Sequence, residues 1–379
     1  MHRVQLHYTL SRDAGAALVR HPLIDLLQAV DAQGSISAAA RTLGLSYRHV
    51  WGELKRWENE LGNELIIWEK GQSARLSEFG AKLMWAERQA QARLSPQIDA
   101  LRADLERAFA VAFDPSAHVL ALYASHDDAL PALRAHAARL GKLHLDIRFT
   151  GSVDAIRALN EGRCVMAGFH TLQHTAGKTL TERTYKPLLQ PGQHKIIGFA
   201  QRAQGLMVAR GNPLGLRSLQ DVASCRARFA NRALGSGTRV VLDELLARAG
   251  LAAGDITGYA HTEPSHAAVA QAVAAGQVDA GLGIAAAAQG AGLDFVPLAD
   301  EIYHLVCLKS ALALPGVLAL LQLLQTPAWQ EELAAIPGYA PLQSGEVLSM
   351  RKVLPWWDYR REKPHATAAA NVETDSLSR

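Results

Sequence analysis

Three features that would narrow the function of a chain are scarce or absent in this sequence. The three cysteines, Cys164, Cys225 and Cys307, lie far apart and form neither a C-x-x-C pair nor a metal-ligand spacing. This pattern favours reduced, buried thiols over disulfides. The longest apolar run, from Ala311 to Leu324, contains Pro315 and is shorter than the roughly 20 residues that a bilayer-spanning helix needs. The third absence is that of catalytic motifs.

The sequence contains no G-x-S-x-G elbow, no G-x-x-x-x-G-K-[ST] phosphate loop and no H-E-x-x-H pair. Gly281 and Gly283 form a lone G-x-G, which is a weak signal. Ser125, His126 and Asp127 are adjacent along the chain, and adjacency in sequence does not arrange a nucleophilic triad. An enzyme is therefore a less favoured interpretation than a binding protein.

Net charge and the N-terminal sequence are weaker indicators of nucleic-acid binding and of cellular location. The formal net charge is only +3, which does not by itself indicate nucleic acid, because a neutral domain dilutes a local basic patch. The opening residues MHRVQLHYTL have no long apolar core and no small-residue cleavage site, so we expect no signal peptide and a cytoplasmic protein. With 379 residues, 49% of them hydrophobic, the chain is predicted to form two or more globular domains.

The most informative stretch, Gly34–Glu60, predicts two helices joined by a tight turn. Ser35 or Ser37 can cap the first helix, Gly44 allows the turn, and Ser46 can cap the second. Apolar residues recur at helical spacing in the second helix: Val50, Leu54, Trp57 and Leu61. A helix-turn-helix that places its second helix in the DNA major groove needs these features.

The flanking segments extend this prediction to a winged helix over residues 1–76. Val4–Leu10 predicts a strand and His21–Ala32 a helix, whereas Glu64–Trp68 and Ala74–Leu76 predict the two strands of a wing. After Ser77, a long helix is predicted to about Phe113, with Pro96 as a candidate break or kink. A helix of that length, over residues 77–113, extends beyond a small domain and indicates pairing with a second copy.

Candidate DNA contacts follow from position in this predicted domain. Residues at the start of the second helix are expected to reach base edges, and basic residues nearby are expected to contact phosphates. The base-edge candidates are Ser46, Tyr47, Arg48 and His49, of which Ser46 and Tyr47 can alternatively bind phosphate. The phosphate candidates are Lys55, Arg56, Lys70 and Arg75, and Ser35 at the first helix is a further DNA-binding candidate. The alternative is that the charged side chains form a solvated surface.

Beyond Asp114-Pro115, short apolar runs alternate with helical segments, which predicts a parallel-sheet α/β domain. We expect lobe I to contain about residues 117–200 and 300–354, and lobe II about 205–296. Strands are predicted at Ile256–Ala260, Phe295–Leu298 and Ile302–Leu308, and chain crossings near 200–205 and 298–302 are predicted hinges. Residues 360–379 lose periodicity and predict a disordered tail.

The loop Gly235-Ser236-Gly237-Thr238 lies between a predicted strand and a predicted helix, a position that favours anions. Arg239 follows in the first turn and can supply a forked donor to an oxyanion; the less favoured alternative is a Gly-rich turn beside a surface Arg. Other strand-to-helix junctions are expected to line the same cleft. They supply Ser125, His126, Asp127, Gly151, Ser152, His170, Asn231, Arg232, Glu263, Ser265 and His266. Ser125, Ser152, Thr238 and Ser265 are candidate helix caps as well.

These segments resemble known families. VQLHYTL, GSIS-AAA, Ser46-Tyr47-Arg48-x-x-Trp51 and Leu76-Ser77-x-x-Gly80 make residues 4–110 similar to the DNA-binding half of molybdate-dependent (ModE-like) regulators. The same stretch, through RWENELGNELI, resembles LysR-type regulators. The motifs GSGTR-VVLDELLARAG and ITGYAHTEPSHAAVAQAVAAGQVDAGLGI make residues 117–354 resemble a bilobal type II periplasmic-binding-protein-like domain of the molybdate-binding-like kind.

The resemblance implies a dimeric transcriptional regulator that binds operator DNA and senses a small anion, with molybdate or tungstate as the expected effector. It implies no cofactor and no protein metal site, because such folds hold molybdate by hydrogen bonds. A small organic carboxylate is the alternative effector. A catalytic bilobal α/β enzyme and a ligand-binding transport component are the less favoured classes.

Overall fold

The computed structural model describes residues 21–68, 73–113, 118–140, 143–173, 179–354 and 356–357. Three predictions therefore lie outside the described residues: the strand Val4–Leu10, Lys70 in the wing loop, and the disordered tail at 360–379.

The N-terminal domain is a three-helix unit followed by a two-stranded wing, as the pattern predicts. Its elements are α1 (Pro22–Gln33), α2 (Ile36–Thr42), α3 (Tyr47–Leu61), β1 (Ile66–Ile67) and β2 (Arg75–Leu76). Leu27, Val30 and Val50 are fully buried between the helices. The carboxylate of Glu58, buried on α3, accepts the backbone N–H groups of Leu65 and Ile66 at 2.9 and 3.3 Å, which holds the wing against the helix.

A single helix, α4 (Glu78–Phe113), leaves this domain. It contains 36 residues, about 54 Å at 1.5 Å per residue. The helix continues through position 96, so Pro96 does not end it. The Ser77 hydroxyl accepts the Gly80 N–H at 2.9 Å and starts the first turn. Among the described residues, no helix is both long and apolar enough to cross a bilayer.

The second domain begins at residue 118 and has the alternating strands and helices that the sequence predicts. Its first half contains β3 (His118–Ala124), α5 (Ala129–Arg139), β4 (Leu143–Phe149), α6 (Ser152–Asn160), β5 (Met166–Leu172), α7 (Leu180–Tyr185), β6 (His194–Val208), α8 (Leu219–Ser224) and β7 (Phe229–Arg232). Its second half contains α9 (Gly237–Arg248), β8 (Thr262–Glu263), α10 (His266–Ala274), β9 (Ala280–Ile284), α11 (Ala285–Gly290), β10 (Asp294–Leu308), α12 (Pro315–Leu324), α13 (Pro327–Ala334), β11 (Tyr339–Pro341), β12 (Val347–Leu348) and α14 (Met350–Val353).

The sheet is mixed, which corrects the prediction of a parallel sheet. Its main path runs β4-β3-β5-β10-β6-β9-β7-β8, and the central pair β10 and β6 is antiparallel. Both central strands are 15 residues long and pair from Asp294–Val208 to Leu308–His194. The two strands predicted at Phe295–Leu298 and Ile302–Leu308 are therefore one strand. The ladder shifts register between Pro297 and Ala299, so β10 passes the predicted crossing through a β-bulge and does not break there.

The predicted strand Ile256–Ala260 is also wrong. A short 3-10 helix, Ala253–Asp255, precedes it, and Gly258 adopts a φ of +89°. At this φ the chain turns instead of extending. A Cβ at position 258 would lie 2.5 Å from the Phe229 carbonyl oxygen, so the turn packs directly on β7.

The sheet order defines two lobes. We call β4, β3 and β5 with their helices lobe I, and β9, β7 and β8 with theirs lobe II; β10 and β6 pass through both. The three parallel strands of lobe I and the parallel pairs β7–β9 and β7–β8 of lobe II bring their following loops toward the central pair. Strand-to-helix junctions from both lobes therefore face one another.

Candidate functional site

Three helices begin in the cleft between the lobes: α6 from lobe I, and α9 and α10 from lobe II. The hydroxyls of Ser125 and Ser152 lie 3.3 Å apart on the lobe I side. On the lobe II side, the Thr238 hydroxyl lies 3.3 Å from Nε2 of His266. Backbone N–H groups at a helix N-terminus carry partial positive charge, so the three starts together favour an anion.

The backbones of lobe I and lobe II come into direct contact beside the cleft. The Val153 N–H donates to the Gly235 carbonyl at 3.4 Å, and a Cβ at Gly151 would lie 2.7 Å from that same oxygen. A Cβ at Gly237 would lie 2.7 Å from Nδ1 of His170. Gly151 and Gly237 thus allow the lobes to meet, and Gly235 makes the turn with a φ of +83°.

The cleft contains buried nitrogen atoms that have no hydrogen-bond partner among the described residues. They are both ring nitrogens of His170, Nδ1 of His266, and Nε and one terminal nitrogen of Arg232. His170, His266 and Arg232 are all nearly inaccessible to solvent. A buried donor without a partner costs about 1–3 kcal/mol, so such a cluster indicates a place for an acceptor.

Two buried arginines in this region differ in their charge partners. Arg202 on β6 is paired with Asp127 and, at 2.7 Å from Nε, with Glu301 on β10. Arg232 has no carboxylate partner among the described residues. Burial together with the nearby Arg202 lowers the pKa of Arg232 to about 10, which leaves it charged at neutral pH. The cleft therefore has an uncompensated positive charge.

The histidines around Arg232 are held neutral. Burial, and next the charge of Arg232, lower the pKa of His126 to about 4. Burial, followed by the charge of Arg202, lowers the pKa of His170. Burial, followed by the charges of Arg232 and Arg202, lowers the pKa of His266. Neutral imidazoles can each donate one hydrogen bond without adding charge.

Two residues predicted as effector contacts, Arg239 and Asp127, are bound to other protein groups in the structure. The Arg239 guanidinium donates to Asp243 at 3.1 Å and stacks 4.1 Å from the Tyr259 ring centre. Asp127 is paired with Arg202, accepts from the Tyr339 hydroxyl at 2.8 Å, and accepts the Ala129 N–H at 2.8 Å. The unpaired arginine of the cleft is thus Arg232.

Glu263 and Ser265, also predicted as effector contacts, likewise have protein partners. Their side chains contact α4: Glu263 pairs with Arg93 at 2.6 Å, and the Ser265 hydroxyl donates to the Ala92 carbonyl at 3.1 Å. The Asn231 side chain is hydrogen-bonded to the backbone: it donates to the Tyr259 carbonyl at 3.2 Å and accepts the Arg232 N–H at 2.8 Å.

The choice between helix cap and cleft residue is resolved separately for each hydroxyl. Ser265 caps α10, accepting the Ala268 N–H at 3.0 Å, and Ser236 caps α9, accepting the Arg239 N–H at 3.2 Å. Ser125 precedes α5 by several residues, whereas Ser152 and Thr238 lie inside the first turns of their helices. The hydroxyls of Ser125, Ser152 and Thr238 therefore cap no helix, and they lie in the cleft.

In the N-terminal domain, the start of α3 is exposed. Ser46 caps it by accepting the His49 N–H at 3.2 Å, and Ser35 caps α2 by accepting the Ala38 N–H at 3.4 Å. Tyr47 is 49% exposed and stacks on Trp51. Arg48 and His49 are also exposed. The structure therefore presents Tyr47, Arg48 and His49 on one accessible helix end.

The basic residues nearby are partly engaged. Lys55 pairs with Glu58 at 2.6 Å and Arg56 with Glu53 at 2.6 Å, both one turn apart on α3. Arg75 on β2 is exposed. The side chains of Lys55 and Arg56 are themselves 47% and 58% exposed, so both stay accessible to phosphate.

Residues that the sequence analysis missed lie on the two central strands. Arg202, Glu301 and Tyr303 are buried beside the cleft, and the Tyr303 ring stacks 4.0 Å from that of His170. The opposite charges at positions 202 and 301, each next to the end of a predicted strand, were an available signal. Among the described residues, no three His, Cys, Asp or Glu side chains are arranged to hold a metal ion.

Comparison with protein families gives two matches. Residues 133–325, just over half of the chain, match the PBP superfamily domain. Residues 23–81 match the bacterial regulatory helix-turn-helix protein, lysR family. The second match covers the three helices, the wing and the start of α4. It agrees with the LysR-type resemblance, whereas the resemblance to molybdate-dependent regulators stays a prediction.

Two individual proteins and one solved structure are also similar to this chain. The uncharacterized protein YvgK of Bacillus subtilis is 31% identical over 201 residues, which are 53% of this chain and 64% of YvgK. The chain thus spans less than two thirds of that relative. An uncharacterized protein from the 5′ region of a ferredoxin gene of Clostridium pasteurianum is 31% identical over 111 residues, 29% of this chain and 98% of its own length. A solved OxyR mutant of Corynebacterium glutamicum is 17% identical, with a TM-score of 0.40, covering 82% of this chain and 93% of its own.

Proposed function

The chain belongs to the PBP superfamily and has a LysR-type helix-turn-helix domain, and on this premise we propose a transcriptional regulator whose DNA binding is controlled by a small oxyanion. The oxyanion binds in the cleft between lobes I and II. The helix-turn-helix domain binds double-stranded operator DNA, and α4 connects the two activities.

One observation supports the oxyanion most directly: Arg232 is buried and charged, has no carboxylate partner among the described residues, and lies near His266 at the start of α10. The same cleft offers further donors to an anion, the Ser152 hydroxyl at the start of α6 and the Thr238 hydroxyl at the start of α9. Charge-assisted hydrogen bonds of this kind contribute about 1.5–3 kcal/mol each. The lobes approach so closely that a compact ion fits the cluster better than a large metabolite.

Molybdate or tungstate is the finer proposal, and it rests on the resemblance of the sequence motifs. A small organic carboxylate is the alternative, because Arg232 can also bind a carboxylate through two parallel hydrogen bonds. Neither family match describes an enzyme, and we propose no catalytic residue for the cleft.

For DNA, we propose that the exposed end of α3 enters the major groove. Arg48 reads a base, with Tyr47, His49 and Ser46 beside it. Lys55, Arg56 and Arg75 contact phosphates and position the helix without reading sequence. Lys70, outside the described residues, and Ser35 stay predictions.

A homodimer completes the proposal. Leu94, Leu101 and Phe109 are 40%, 57% and 41% exposed along α4. Their spacing of seven and eight residues places them on one face of the helix. A second copy of α4 would cover this face and place two α3 helices for a two-fold operator. Because operator DNA is its target, we propose a cytoplasmic location.

The test uses the full chain. Thermal unfolding is measured with sodium molybdate, tungstate, sulfate, phosphate and acetate, and bound DNA is selected from a random pool with and without the stabilising ion. We expect one oxyanion at about 100 times its Kd to stabilise the protein by roughly 2.7 kcal/mol, and the pool to yield a two-fold symmetric sequence. Stabilisation by acetate alone would exclude the oxyanion, and an unenriched pool would exclude the regulator.

A further inference from the structure

The long helix α4 is joined tightly to the N-terminal domain. Met84, one and a half turns into the helix, is buried in the core of that domain. A side chain at Gly80 would collide with the Leu65 carbonyl oxygen, so the helix lies directly on the base of the wing. The Ser77 hydroxyl also donates to the Glu64 carbonyl at 2.5 Å. A rotation of α4 must therefore move the DNA-reading surface with it.

The same helix is bound to lobe II. Arg93 makes two parallel hydrogen bonds to Glu263, from Nε at 2.9 Å and from a terminal nitrogen at 2.6 Å. The Glu263 carboxylate is fully buried. The Ser265 hydroxyl donates to the carbonyl of Ala92, the residue that precedes Arg93 on α4. We call these contacts the lobe II clamp.

A second set of ion pairs binds the helix to lobe I. Arg148 on β4 donates to Asp104 at 2.8 Å, and Arg107 donates to Asp146 on β4 at 3.2 Å. We call these contacts the lobe I clamp. It lies 11 residues along the helix from Arg93, which is about 16 Å. One rigid element is therefore held to both lobes at two separated points.

The lobe II clamp is also close to the cleft along the chain. Glu263 and Ser265 immediately precede His266, whose ring faces Thr238 and Arg232 in the cleft. The first turn of α10 therefore has His266 in the cleft and Ser265 on α4. A shift of this turn when the cleft changes must alter the contact with Arg93.

We propose that Arg93 and Glu263 are positioning residues that transmit closure of the cleft to the DNA-reading domain. This inference rests on the proposed function. Both clamps form together only when the lobes are closed, since a stiff helix bound to two bodies cannot follow their relative rotation. Closure of the lobes by an anion then selects one orientation of α4, and opening releases the lobe II clamp.

The experiment uses the full-length protein with sodium molybdate as probe. Variants are Arg93→Gln, Glu263→Gln and the conservative Arg93→Lys, and Glu161→Gln is the matched control because its pair with Arg163 is exposed and distant from α4. Three quantities are measured: molybdate affinity by calorimetry, DNA affinity without molybdate, and the ratio of DNA affinities with and without it.

For Arg93→Gln and Glu263→Gln we expect the first two quantities to stay within about threefold of wild type. The ratio should fall close to one from a wild-type value in the typical 5–150-fold range. Arg93→Lys should retain most of the wild-type ratio, and Glu161→Gln all of it. A wild-type ratio in Arg93→Gln would overturn the proposal, and so would an unchanged ratio in Glu263→Gln.

A second arm needs neither molybdate nor DNA. Hydrogen exchange of the α4 backbone is compared between wild type and Arg93→Gln. We expect exchange near residues 89–93 to become at least about tenfold faster while exchange near Gly80 is unchanged. Unchanged exchange at 89–93 overturns the clamp even if wild type binds no molybdate, in which case the calorimetry has separately overturned the proposed effector.

Discussion

The exposed end of α3 and the cleft between the lobes offer the same kinds of groups to an anion. They differ in that the first is open to solvent and the second is buried. Each has a helix N-terminus, hydroxyl groups and an arginine, but Arg48 is exposed and Arg232 is buried. Water and salt screen the exposed charges, which suits a long polyanion that many weak contacts hold. The buried charge acts in a low dielectric and admits only a group small enough to be enclosed. Burial, more than residue type, therefore decides which anion each region can bind.

The largest expected effect tests the buried arginine. Replacing Arg232 with Met removes the uncompensated charge and at least two charge-assisted donors, so molybdate affinity should fall on the order of 100-fold. Calorimetry on the full chain measures it.

Arg239→Met is the matched control, because Arg239 is already paired with Asp243. It should change the affinity by less than about threefold. Equal losses in the two variants would contradict the assignment of Arg232 and restore the prediction made from the loop sequence.

An intermediate effect is expected at the exposed end of α3. Arg48→Ala should remove about 1–3 kcal/mol of discrimination at one base pair of the selected operator. Binding to a series of single-base operator variants measures this loss.

Lys55→Ala provides the comparison within the same helix. It should weaken binding to all these operators alike and lower the salt slope by about one. If Arg48→Ala behaved in the same uniform manner, Arg48 would be a phosphate contact and not a base contact.

The smallest effect concerns pH and the buried histidines. Burial lowers the pKa of His126 to about 4, whereas the unfolded chain binds a proton near pH 6.5. Between these values the unfolded state binds more protons than the native state, so the free energy of unfolding falls as pH falls from 6.5 toward 4. The loss is on the order of 1 kcal/mol per pH unit for this histidine. Urea unfolding at pH 7 and pH 5 measures it.

Molybdate should reduce this pH dependence, because a bound anion favours the protonated imidazole. His126→Gln should also reduce it, by removing one titrating group. A pH dependence that neither change affects would show that the cleft histidines do not contribute.

Local pattern predicted much of the fold. The helices α1, α3 and α4 agree with their predicted ranges to within two residues, since apolar spacing and capping residues are local properties. The wing strands were also predicted. The strand at Ile256–Ala260 failed because Gly258 turns against β7, which is a contact across the fold.

The cleft was predicted less completely. Its hydroxyls and histidines could be predicted because they follow strands, and ligands in α/β sheets bind beyond the carboxyl ends of the strands. Arg232 and Arg239 were both predicted as effector contacts. The pair of Arg239 with Asp243 is local, since the two residues lie one turn apart on α9, whereas its stacking on Tyr259 forms only when α9 packs beside the turn at 259. Nothing in the local sequence identifies Arg232 as buried without a carboxylate partner among the described residues.

The sequence by itself determined a helix-turn-helix domain, a long helix and an α/β domain with anion-favouring loops, because these depend on periodicity, capping and glycine spacing over a few residues. The tertiary structure alone decided that the central strands β6 and β10 are continuous, that Arg232 is the uncompensated cation, and that Glu263 faces α4. The physical reason is that charge pairing and burial depend on residues 100 or more positions apart, such as Arg93 and Glu263, which only the folded chain brings within hydrogen-bond distance.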